Sequence, residues 1–583
     1  MPNRFSKLLK AAMAKFSISR ETVNYTRYYK SINVIQNTLL IDNCKSISDN
    51  PALLKELCNN DNYKALKKYA VVSDTQTAKV NNEIELVKRY SKKHLKLLAS
   101  AQYIISDCFE SFYTKKDEQT CICFAKGDHF SRVQRSCIIA SYIVCNDTSE
   151  LEYIRKTYML DNIFSGKYIV GRLPDKACKI IESNTYYNGK ENVLVFTGAL
   201  EKNGITTALK NLVNSVGDDR NYIPFFYEKS VEPNKKSIKE LGGKDFISIC
   251  GDMNMTLWET LVLALYYLDI NVIKNTPKIL DEIYCREIKR CFGDEKIDHV
   301  IHFTGYARNV LQLICRMNAK KYVWVHNNLF LEAKTKGNLH INTIKYGYDK
   351  CDKIVVVRDT MKDELSKFVE PSQKKKITTV HNINDAESVV QKALEQIEFQ
   401  EDTYCNVTKA ELDEILKNSD INKFINIARF SKEKGIDRLI RAFNSYRDKY
   451  DADAHLILIG GYGEEFDNIK KTVQQCKNII LIKSIMNPYP ILKQCDLFVL
   501  SSHYEGLPMT IIEALMLGIP VISTDITGPR EFLQQGYGYL TADSEQGIID
   551  ALTLFKNDAL PPFAEFDVEK FNADAMKEFT QLF

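Results

Sequence analysis

The chain has 583 residues, which is too long for a single hydrophobic core and indicates three or four domains. Hydrophobic residues make up 45% and charged residues 26%, the usual balance of a globular protein. The net charge is only +4, so the composition gives no reason to expect nucleic acid as a partner. No apolar run approaches the ~20 residues that span a bilayer, which argues against an integral membrane protein.

The first 20 residues alternate basic and apolar side chains and contain no credible signal-peptidase site. The basic residues are Arg4, Lys7, Lys10 and Lys15, and the apolar ones are Phe5, Leu8, Leu9, Met13 and Phe16. Such a segment forms either a solvated starting helix, which we favour, or a basic amphipathic helix at a membrane surface. We therefore expect a cytoplasmic protein, with peripheral contact at the inner face of the plasma membrane as an alternative.

The 16 cysteines of a cytoplasmic chain are expected to be reduced thiols that serve as small core residues. Cys121 and Cys123 are the closest pair, but no second pair or His partner has zinc spacing. The cysteines therefore predict no metal site.

Short apolar runs alternate with amphipathic helical stretches along the chain, which predicts an α/β fold of parallel, doubly wound sheets. Residues 21–187 form the first predicted domain, and a polar break follows at residues 186–191. Its predicted strands are Thr38–Asp42, Tyr69–Ser73, Gln102–Ser106 and Cys137–Val144.

A second α/β domain is predicted over residues 188–384, and a third over residues 421–562. The strands predicted for the second are Asn192–Gly198, Tyr222–Tyr227, Phe246–Gly251, His299–Phe303, Tyr322–His326, Ile354–Val357 and Ile377–His381. Those of the third are Phe424–Phe430, His455–Gly461, Ile479–Lys483, Leu497–Ser502 and Pro520–Asp525. Residues 385–420 are charged and helix-prone without a convincing strand, which indicates an interdomain connection. Residues 563–583 are predicted as a C-terminal helical tail.

Two carboxylates, Glu505 and Glu513, follow an apolar strand of the third domain. Pro508 suits the first turn of a helix and Gly518 its end, so Glu505 falls in the strand-to-helix turn and Glu513 about two turns into the helix. Doubly wound domains bind ligands at this edge of the sheet. Ionised carboxylates there accept hydrogen bonds from sugar hydroxyls, although an isolated pair of Glu is more often a pair of solvated helix charges.

The turn after the first strand of the same domain carries Arg429 and Lys434, followed by Gly435. Fixed positive charge at this position stabilises a leaving diphosphate without a metal ion. A basic surface turn is about equally compatible with these residues alone.

Together these two elements resemble the signature of the family-four retaining glycosyltransferases, which have the GT-B fold. The resemblance covers roughly residues 190–575 and includes IGGYGEE (459–465), NPYPILKQCDLFVLSSHYEGLP (487–508) and PVISTDITGPREFL (520–533). These runs are most similar to the branch that adds sugars to teichoic acids and other bacterial surface polymers. The resemblance implies two Rossmann-like domains that face a cleft, with the N-terminal region as an additional α/β domain.

The resemblance also implies roles for single residues. Arg429 and Lys434 neutralise the donor diphosphate, Glu505 contacts the donor sugar, and Glu513 binds the ribose hydroxyls. Backbone N–H groups of the turn before the helix reach the distal phosphate. The remaining donor-binding positions are Gly198, Gly204, Gly461, Gly506, Leu507, Met509 and Thr510. No metal ion and no other cofactor is expected, since the nucleotide sugar is a substrate.

The second domain is expected to supply the other wall of the cleft. His326 matches a position where relatives often place a His near the transferred sugar, and we count it among the catalytic residues. Gly305, Tyr306 and Asn327 are predicted to contact the acceptor. One departure is Lys483, near which relatives usually carry Gly; a Lys there puts the preferred nucleotide base in doubt.

The N-terminal third resembles the CDP-glycerol glycerophosphotransferases over roughly residues 35–175. The similarity lies in the run that begins at Ile41, in LLASAQYIISD (97–107), in Arg132-Val-Gln-Arg135 and in TYMLDNIFSGKYIV (157–170). It fails where that family carries His-Gly-Thr-Pro, because the equivalent stretch is CICFAKGDHFSRVQR (121–135), in which only His129 is present. We therefore expect a lobe without glycerophosphotransferase activity.

The sequence thus predicts a retaining glycosyltransferase that moves a sugar from a nucleotide-sugar donor to a bacterial surface polymer or its lipid-linked precursor. UDP is the default nucleotide only because it dominates the relatives. Two alternatives stay open: a non-catalytic scaffold that binds polymer, and a bifunctional enzyme that also transfers glycerol phosphate. The expected partners are the donor and a glycan acceptor, with no nucleic acid; the oligomeric state is left open.

Overall fold

Three α/β domains make up the chain in the computed structural model. The structure describes residues 18–45, 49–73, 83–173, 178–200, 204–230, 238–249, 253–270, 276–294, 296–305, 307–327, 330, 332, 339–505 and 508–583. The amphipathic segment predicted over residues 1–20 therefore lies almost wholly outside the described residues. Within the described ranges, no helix is long and apolar enough to cross a bilayer.

The first domain is built on an eight-stranded sheet in the order β3-β2-β1-β4-β5-β6-β7-β8. Its strands are β1 (Ile35–Ile41), β2 (Lys67–Val72), β3 (Ile84–Lys88), β4 (Ala101–Ser106), β5 (Thr120–Cys123), β6 (Tyr142–Cys145), β7 (Lys167–Val170) and β8 (Lys179–Glu182). All neighbours are parallel except β7 and β8. The helices are α1 (Arg20–Ser31), α2 (Pro51–Asn59), α3 (Lys92–Ser100), α4 (Phe130–Ile139) and α5 (Thr148–Thr157).

One predicted strand of this domain is wrong. The run assigned to Cys137–Val144 is the end of helix α4, a turn, and the short strand β6. A continuous apolar run does not distinguish a buried helix end from a strand, and Arg135 and Ser136, which mark the helix, are themselves buried. The sequence analysis does not predict the strands β3, β5, β7 and β8, which are four or five residues long.

The second domain contains a seven-stranded parallel sheet in the order β11-β10-β9-β12-β13-β14-β15. Its strands are β9 (Asn192–Phe196), β10 (Asn221–Tyr227), β11 (Ile247–Ile249), β12 (His299–His302), β13 (Lys320–Val325), β14 (Lys353–Val356) and β15 (Ile377–Thr379). The helices are α6 (Gly204–Ser215), α7 (Leu257–Tyr266), α8 (Thr276–Phe292), α9 (Arg308–Ile314), α10 (Ile341–Lys350), α11 (Thr360–Ser366) and α12 (Pro371–Lys374). All seven predicted strands are confirmed, with ends that differ by a few residues.

The third domain contains a second seven-stranded sheet, in the order β16-β19-β18-β17-β20-β21-β22. Its strands are β16 (Tyr404–Cys405), β17 (Lys423–Ile427), β18 (His455–Gly460), β19 (Ile479–Lys483), β20 (Leu497–Leu500), β21 (Val521–Thr524) and β22 (Tyr539–Thr541). The helices are α13 (Ala386–Ala393), α14 (Lys409–Lys417), α15 (Ile436–Tyr450), α16 (Phe466–Val473), α17 (Tyr489–Leu492), α18 (Met509–Met516), α19 (Thr527–Phe532), α20 (Glu545–Lys556) and α21 (Val568–Thr580). The predicted α/β fold of doubly wound sheets is confirmed in all three domains.

The segment over residues 385–420 is more than a connection. It contains helices α13 and α14, and β16 adds to the third sheet as an antiparallel neighbour of β19. Leu412 and Leu416 of α14 are buried in the core of the third domain. The strand escaped prediction because it has only two residues.

The chain divides into two compact units. One comprises residues 1–201, 217–323 and 340–352, and the other comprises residues 202–216, 324–339 and 353–583. Within the first unit, the N-terminal domain and most of the second domain share one hydrophobic core, which includes Tyr25, Phe109, Phe225 and Tyr284.

Buried polar contacts join the same two domains. The Asn254 side-chain amide donates to the Phe112 carbonyl at 3.0 Å and to Thr114 Oγ1 at 2.9 Å. The Gln134 amide donates to the Phe246 carbonyl at 2.6 Å and its oxygen accepts from the Ser248 N–H at 3.0 Å. Because buried polar groups are costly to leave unsatisfied, each domain stabilises the other.

Candidate active site

The cations Arg429 and Lys434 lie in the turn between β17 and α15. The Phe430 N–H donates to the Tyr462 carbonyl at 2.8 Å, which ties this turn to the loop after β18. The turn closes at Gly435, whose φ of 58° is in the left-handed region. A Cβ at Gly435 would lie 2.3 Å from the Ser501 carbonyl oxygen, so only glycine permits this approach to the end of β20.

Lys434, in the turn after β17, forms an ion pair with Glu505, in the turn after the neighbouring strand β20. The Lys434 ammonium donates to Glu505 Oε1 at 2.6 Å, and the Ser502 hydroxyl donates to the same oxygen at 2.7 Å. The Ser501 hydroxyl donates to the Lys434 carbonyl at 3.0 Å. Two predicted site residues that are 71 positions apart thus form one ion pair at the carboxyl ends of neighbouring strands.

Arg429 is held by a different carboxylate. Its guanidinium donates to Glu433 Oε1 at 2.8 Å, and the Arg429 side chain stays 36% exposed. The backbone carbonyl of Glu433 accepts from the His503 N–H at 2.8 Å, so this turn also contacts the residues just before Glu505. Arg429 and Lys434 therefore lie on one turn, with Arg429 the more accessible to a ligand.

Arg438 is a residue of this site that the sequence reasoning missed. It is buried in the first turn of α15 and donates to the carbonyl oxygens of Ser501 and Ser502 at 2.6 to 2.9 Å. Its guanidinium also pairs with Asp543 Oδ1 at 2.6 Å. Arg438 fixes the end of β20 and hence the start of the turn that carries Glu505. The contact of Arg438 with the end of β20 spans more than 60 residues of sequence and is seen only in the folded chain.

Glu513 lies on α18 and is only 9% exposed. Burial raises the pKa of its carboxyl to about 7, although the Tyr489 hydroxyl and the Lys392 ammonium act to lower that pKa. The Tyr489 hydroxyl donates to Glu513 Oε1 at 3.1 Å. A carboxylate with a pKa near neutrality is typical of a functional position rather than of a solvated helix charge.

The loops after β18 and β19 line the same edge of the sheet. A Cβ at Gly461 would have open space around it, whereas one at Gly463 would lie 2.1 Å from the Phe430 carbonyl oxygen. The Lys483 ammonium lies 4.2 Å from the centroid of the Phe466 ring. Lys483 itself does not have a positive φ. The left-handed residue of this loop is Ser484, with φ of 64°.

The second compact unit also contains the start of α6 and the end of β13. A Cβ at Gly204 would lie 3.8 Å from Met509 Cγ, and the Asn382 amide lies 3.7 Å from Met509 Sδ. Gly204 therefore lies beside the first turn of α18, in which Thr510 is partly exposed. His326 follows β13 and is 7% exposed, and Asn327 is half-buried.

Gly198, predicted to bind the donor, and Gly305, predicted to contact the acceptor, lie in the first unit. Gly198 has φ of 72°, and a Cβ there would lie 2.8 Å from Thr304 Cγ2. The Gly305 N–H donates to His302 Nδ1 at 3.0 Å. Gly198 and Gly305 thus both border the turn after β12. Tyr306, Gly506 and Leu507 were also predicted as site residues and lie outside the described residues.

His302 lies beneath this turn and was not predicted as a site residue. It is fully buried, and burial lowers its pKa to about 4. Its Nδ1 accepts from the Gly305 N–H, so the neutral ring carries its proton on Nε2, which lies 3.3 Å from the Ala307 carbonyl. His302 therefore shapes the turn as a neutral group and is not a candidate acid or base.

The N-terminal domain has its own polar cluster at the carboxyl ends of β1, β3 and β4. Glu110 accepts from Arg89 Nη1 and from Arg132 Nη2, each at 2.8 Å. Behind them, Asp42 Oδ2 lies 3.4 Å from His94 Nε2, and both side chains are fully buried. The strand order reverses between β1 and β4, so this cluster occupies the switch point at which doubly wound sheets bind ligands.

His129, the one histidine kept from the expected motif, is exposed immediately before α4. Its side chain makes no capping hydrogen bond to that helix. The side chain from this part of the chain that contacts Glu110 is instead Arg132, in the first turn of α4.

Three potential metal ligands come together elsewhere in the second unit, within 4.8 Å of one another: Asp359, His381 and Glu531. The Glu531 carboxylate accepts from the N–H groups of Asp359 and Thr360 at 2.7 to 3.2 Å, so it caps helix α11. Burial lowers the pKa of His381, but its ion pair with Glu578 at 3.0 Å outweighs this and raises the pKa overall. These contacts indicate a structural ion-pair network.

Comparison with known families matches two parts of the chain. Residues 407–565 match the family described as glycosyl transferases group 1, and residues 24–172 match the family described as CDP-glycerol:poly(glycerophosphate) glycerophosphotransferase. Both resemblances drawn from the motifs are thereby confirmed. Residues 407–565 are thus similar to the group 1 glycosyltransferases, and residues 24–172 are similar to the glycerophosphotransferases.

Individual relatives each match part of the chain. An uncharacterized glycosyltransferase of Methanocaldococcus jannaschii is 36% identical over 37% of this chain and 51% of its own length. The N-acetyl-alpha-D-glucosaminyl L-malate synthase of Bacillus anthracis is 28% identical over 38% of this chain and 54% of its own. A diphospho-undecaprenol-linked 4-alpha-N-acetylgalactosaminyltransferase of Campylobacter jejuni is 26% identical over 46% of this chain and 73% of its own. The chain thus spans about half the length of the first two.

Proposed function

We propose that the chain is a retaining glycosyltransferase that moves a sugar from a nucleotide-sugar donor to a bacterial surface polymer or its lipid-linked precursor. The observation that carries this proposal is the contact of Lys434 with Glu505 at 2.6 Å. It joins the cationic turn after β17 to the carboxylate turn after β20, at the switch point of the third sheet.

Each group then has a task that fits its surroundings. Arg429, 36% exposed, and Lys434, 14% exposed, supply fixed positive charge to the departing nucleoside diphosphate. Glu505 is already oriented by Lys434 and Ser502, which leaves its second oxygen for a hydroxyl of the donor sugar. The buried carboxylate of Glu513 accepts hydrogen bonds from the ribose. Two cations in a pre-formed turn make the reaction independent of a metal ion in this proposal.

The nucleotide and the stereochemistry are proposed on the family resemblance. UDP is the expected nucleotide, and the reaction is expected to retain the anomeric configuration without a dedicated nucleophile. His326 and Asn327, at the end of β13, are proposed to lie near the transferred sugar and the acceptor. Contact of the N-terminal segment with the membrane surface remains the alternative to a solvated helix.

A surface polymer or lipid-linked glycan is the proposed acceptor. The Campylobacter relative is named for a diphospho-undecaprenol-linked acceptor, which supports a lipid-linked glycan. The Bacillus relative is named for L-malate, a small acid, so similarity to these relatives does not by itself identify the acceptor class.

The N-terminal domain supports a second function, the binding of an anionic polyol-phosphate polymer such as teichoic acid. Arg89 and Arg132 are held side by side by Glu110, and their side chains are 24% and 29% exposed. Guanidinium groups that are fixed by a carboxylate and still reach solvent suit phosphate recognition. The lobe would then retain the polymer rather than transfer glycerol phosphate to it.

A screen of the full-length protein for thermal stabilisation by nucleotide sugars tests the main proposal. A ligand that binds only the folded state raises its melting temperature. We expect one nucleotide sugar to stabilise the wild type, to be consumed when an acceptor glycan is added, and to lose its effect in Lys434→Ala. A wild type that binds none of the common nucleotide sugars would contradict the assignment and favour a polymer-binding scaffold.

A further inference from the structure

Tyr489 begins helix α17, in the loop that leads from β19 to β20. Its hydroxyl donates to Glu513 Oε1 at 3.1 Å. The Tyr489 N–H donates to the Asn487 side chain at 3.2 Å, and the Asn487 amide donates to the Lys392 carbonyl and to Glu395 Oε2, both at 2.8 Å. Tyr489 is therefore fixed at its backbone, through Asn487, to the end of helix α13.

Few charged groups face the Tyr489–Glu513 pair. From α13, the Lys392 ammonium lowers the pKa of Glu513, and Asp385 at the start of that helix raises the pKa of Tyr489. From α17, the Tyr489 hydroxyl is the donor that contacts the carboxylate. Burial dominates both groups: it raises the pKa of the phenol and that of the carboxyl. The pair therefore shares one hydrogen bond in a poorly solvated setting.

We infer that Tyr489 is a positioning residue for Glu513, which holds one carboxylate oxygen so that the other, Oε2, faces the 2′- and 3′-hydroxyls of the donor ribose. This inference rests on the proposed function, because it needs a nucleotide in the site. A hydrogen bond donated to a carboxylate favours its ionised form and restricts its rotation. Without it, a buried carboxyl accepts a proton more readily and loses part of its capacity to accept hydrogen bonds from a ribose diol.

The test uses the full-length protein, the variant Tyr489→Phe, and two probes: UDP and 2′,3′-dideoxy-UDP. We expect wild type to bind UDP clearly more tightly than the dideoxy analogue. In Tyr489→Phe we expect UDP affinity to fall about tenfold, which is the loss of one hydrogen bond to a charged group, whereas dideoxy-UDP affinity stays unchanged. The matched control is Tyr404→Phe, which removes a phenolic oxygen from the same domain and should bind both probes as wild type does.

The pH dependence of UDP binding gives a second readout. Because the Tyr489 hydroxyl lowers the pKa of Glu513, its removal should move the weakening of UDP binding on acidification to a higher pH. Equal losses for both probes with an unchanged pH profile would assign Tyr489 a purely structural role and overturn the inference. A wild type that binds neither UDP nor any other nucleoside diphosphate would instead overturn the proposed function, so the two failures are distinguishable.

Discussion

The third domain and the N-terminal domain carry polar clusters at the same topological position, yet the clusters are built differently. In the third domain, Lys434 and Arg429 lie on a turn at the surface of the sheet edge and remain partly exposed. In the N-terminal domain, Arg89 and Arg132 are also partly exposed and share the carboxylate of Glu110, but Asp42 and His94 behind them are fully buried. A switch point therefore supplies a place for chemistry, but a ligand can use only the charges that remain accessible.

The comparison is tested most strongly at Lys434. Lys434→Ala should lower kcat/KM for sugar transfer by about a hundredfold or more, because it removes fixed charge from the departing diphosphate and leaves Glu505 without its cationic partner. Lys471→Ala removes the same charge from an exposed position of α16 and should transfer sugar at the wild-type rate. Steady-state kinetics of both variants distinguishes loss of charge in the site from loss of charge at the surface, and circular dichroism confirms that both variants are folded. Comparable activity in both variants would remove the third-domain cluster from the mechanism.

Substitution of Glu513 tests whether the buried carboxylate of the third domain lowers the free energy of unfolding. Its folded-state pKa of about 7 exceeds the ordinary 4.5, so the native protein retains a proton that the unfolded chain releases. Stability should therefore fall as pH rises from about 4.5 to 7. Glu513→Gln cannot ionise, and at pH 8 it should gain up to about 3 kcal/mol in unfolding free energy while it loses UDP affinity.

Denaturant unfolding of Glu513→Gln at pH 5 and pH 8 measures this effect, and the gain should appear mainly at pH 8. Glu411→Gln, an exposed substitution at the start of α14, is the matched control and should show no such gain. Loss of stability at both values of pH would show that the ionised carboxylate supports the fold instead.

Gly435 tests how closely the turn with Lys434 must approach β20. Gly435→Ala combines a left-handed φ with a Cβ 2.3 Å from the Ser501 carbonyl, and should cost about 2 to 3 kcal/mol of stability and lower the transfer rate. Gly189→Ala also has a left-handed φ, of 79°, but open space around the new Cβ, and should cost only about 1 kcal/mol. Equal losses from the two substitutions, measured by denaturant unfolding, would assign the effect to φ alone.

His94 tests the buried cluster of the N-terminal domain, with the smallest expected effect. His94→Gln should cost about 1 to 2 kcal/mol of unfolding free energy, because it removes the group that faces the buried Asp42 carboxylate. Transfer kinetics and the KM for the donor should stay at wild-type values. A changed KM for the donor would show that the buried cluster of the N-terminal domain also affects donor binding, so the two clusters would not act separately.

Most of the strands of the second and third domains could be predicted from the sequence, because continuous apolar runs such as Ile479–Lys483 are buried on both faces of a parallel sheet. The location of Lys434 and Glu505 in turns at the carboxyl ends of two strands also followed from the motifs, whereas their ion pair is seen only in the structure. Arg438 and Tyr489 did not follow. Arg438 acts on backbone carbonyls and Tyr489 on a helix 24 residues away, and neither relation has a sequence pattern.

The shared core of the N-terminal and second domains bears on how this chain can be divided. A fragment that began at residue 188 would retain every group 1 motif, yet it would uncover side chains such as Phe225 and Tyr284 on the face that the N-terminal domain covers. Asn254 would also lose its contacts with Phe112 and Thr114. We therefore expect the N-terminal domain and the part of the second domain that shares its core to unfold together. Deletion or exchange of the first domain would have to be accompanied by redesign of the surface it leaves behind.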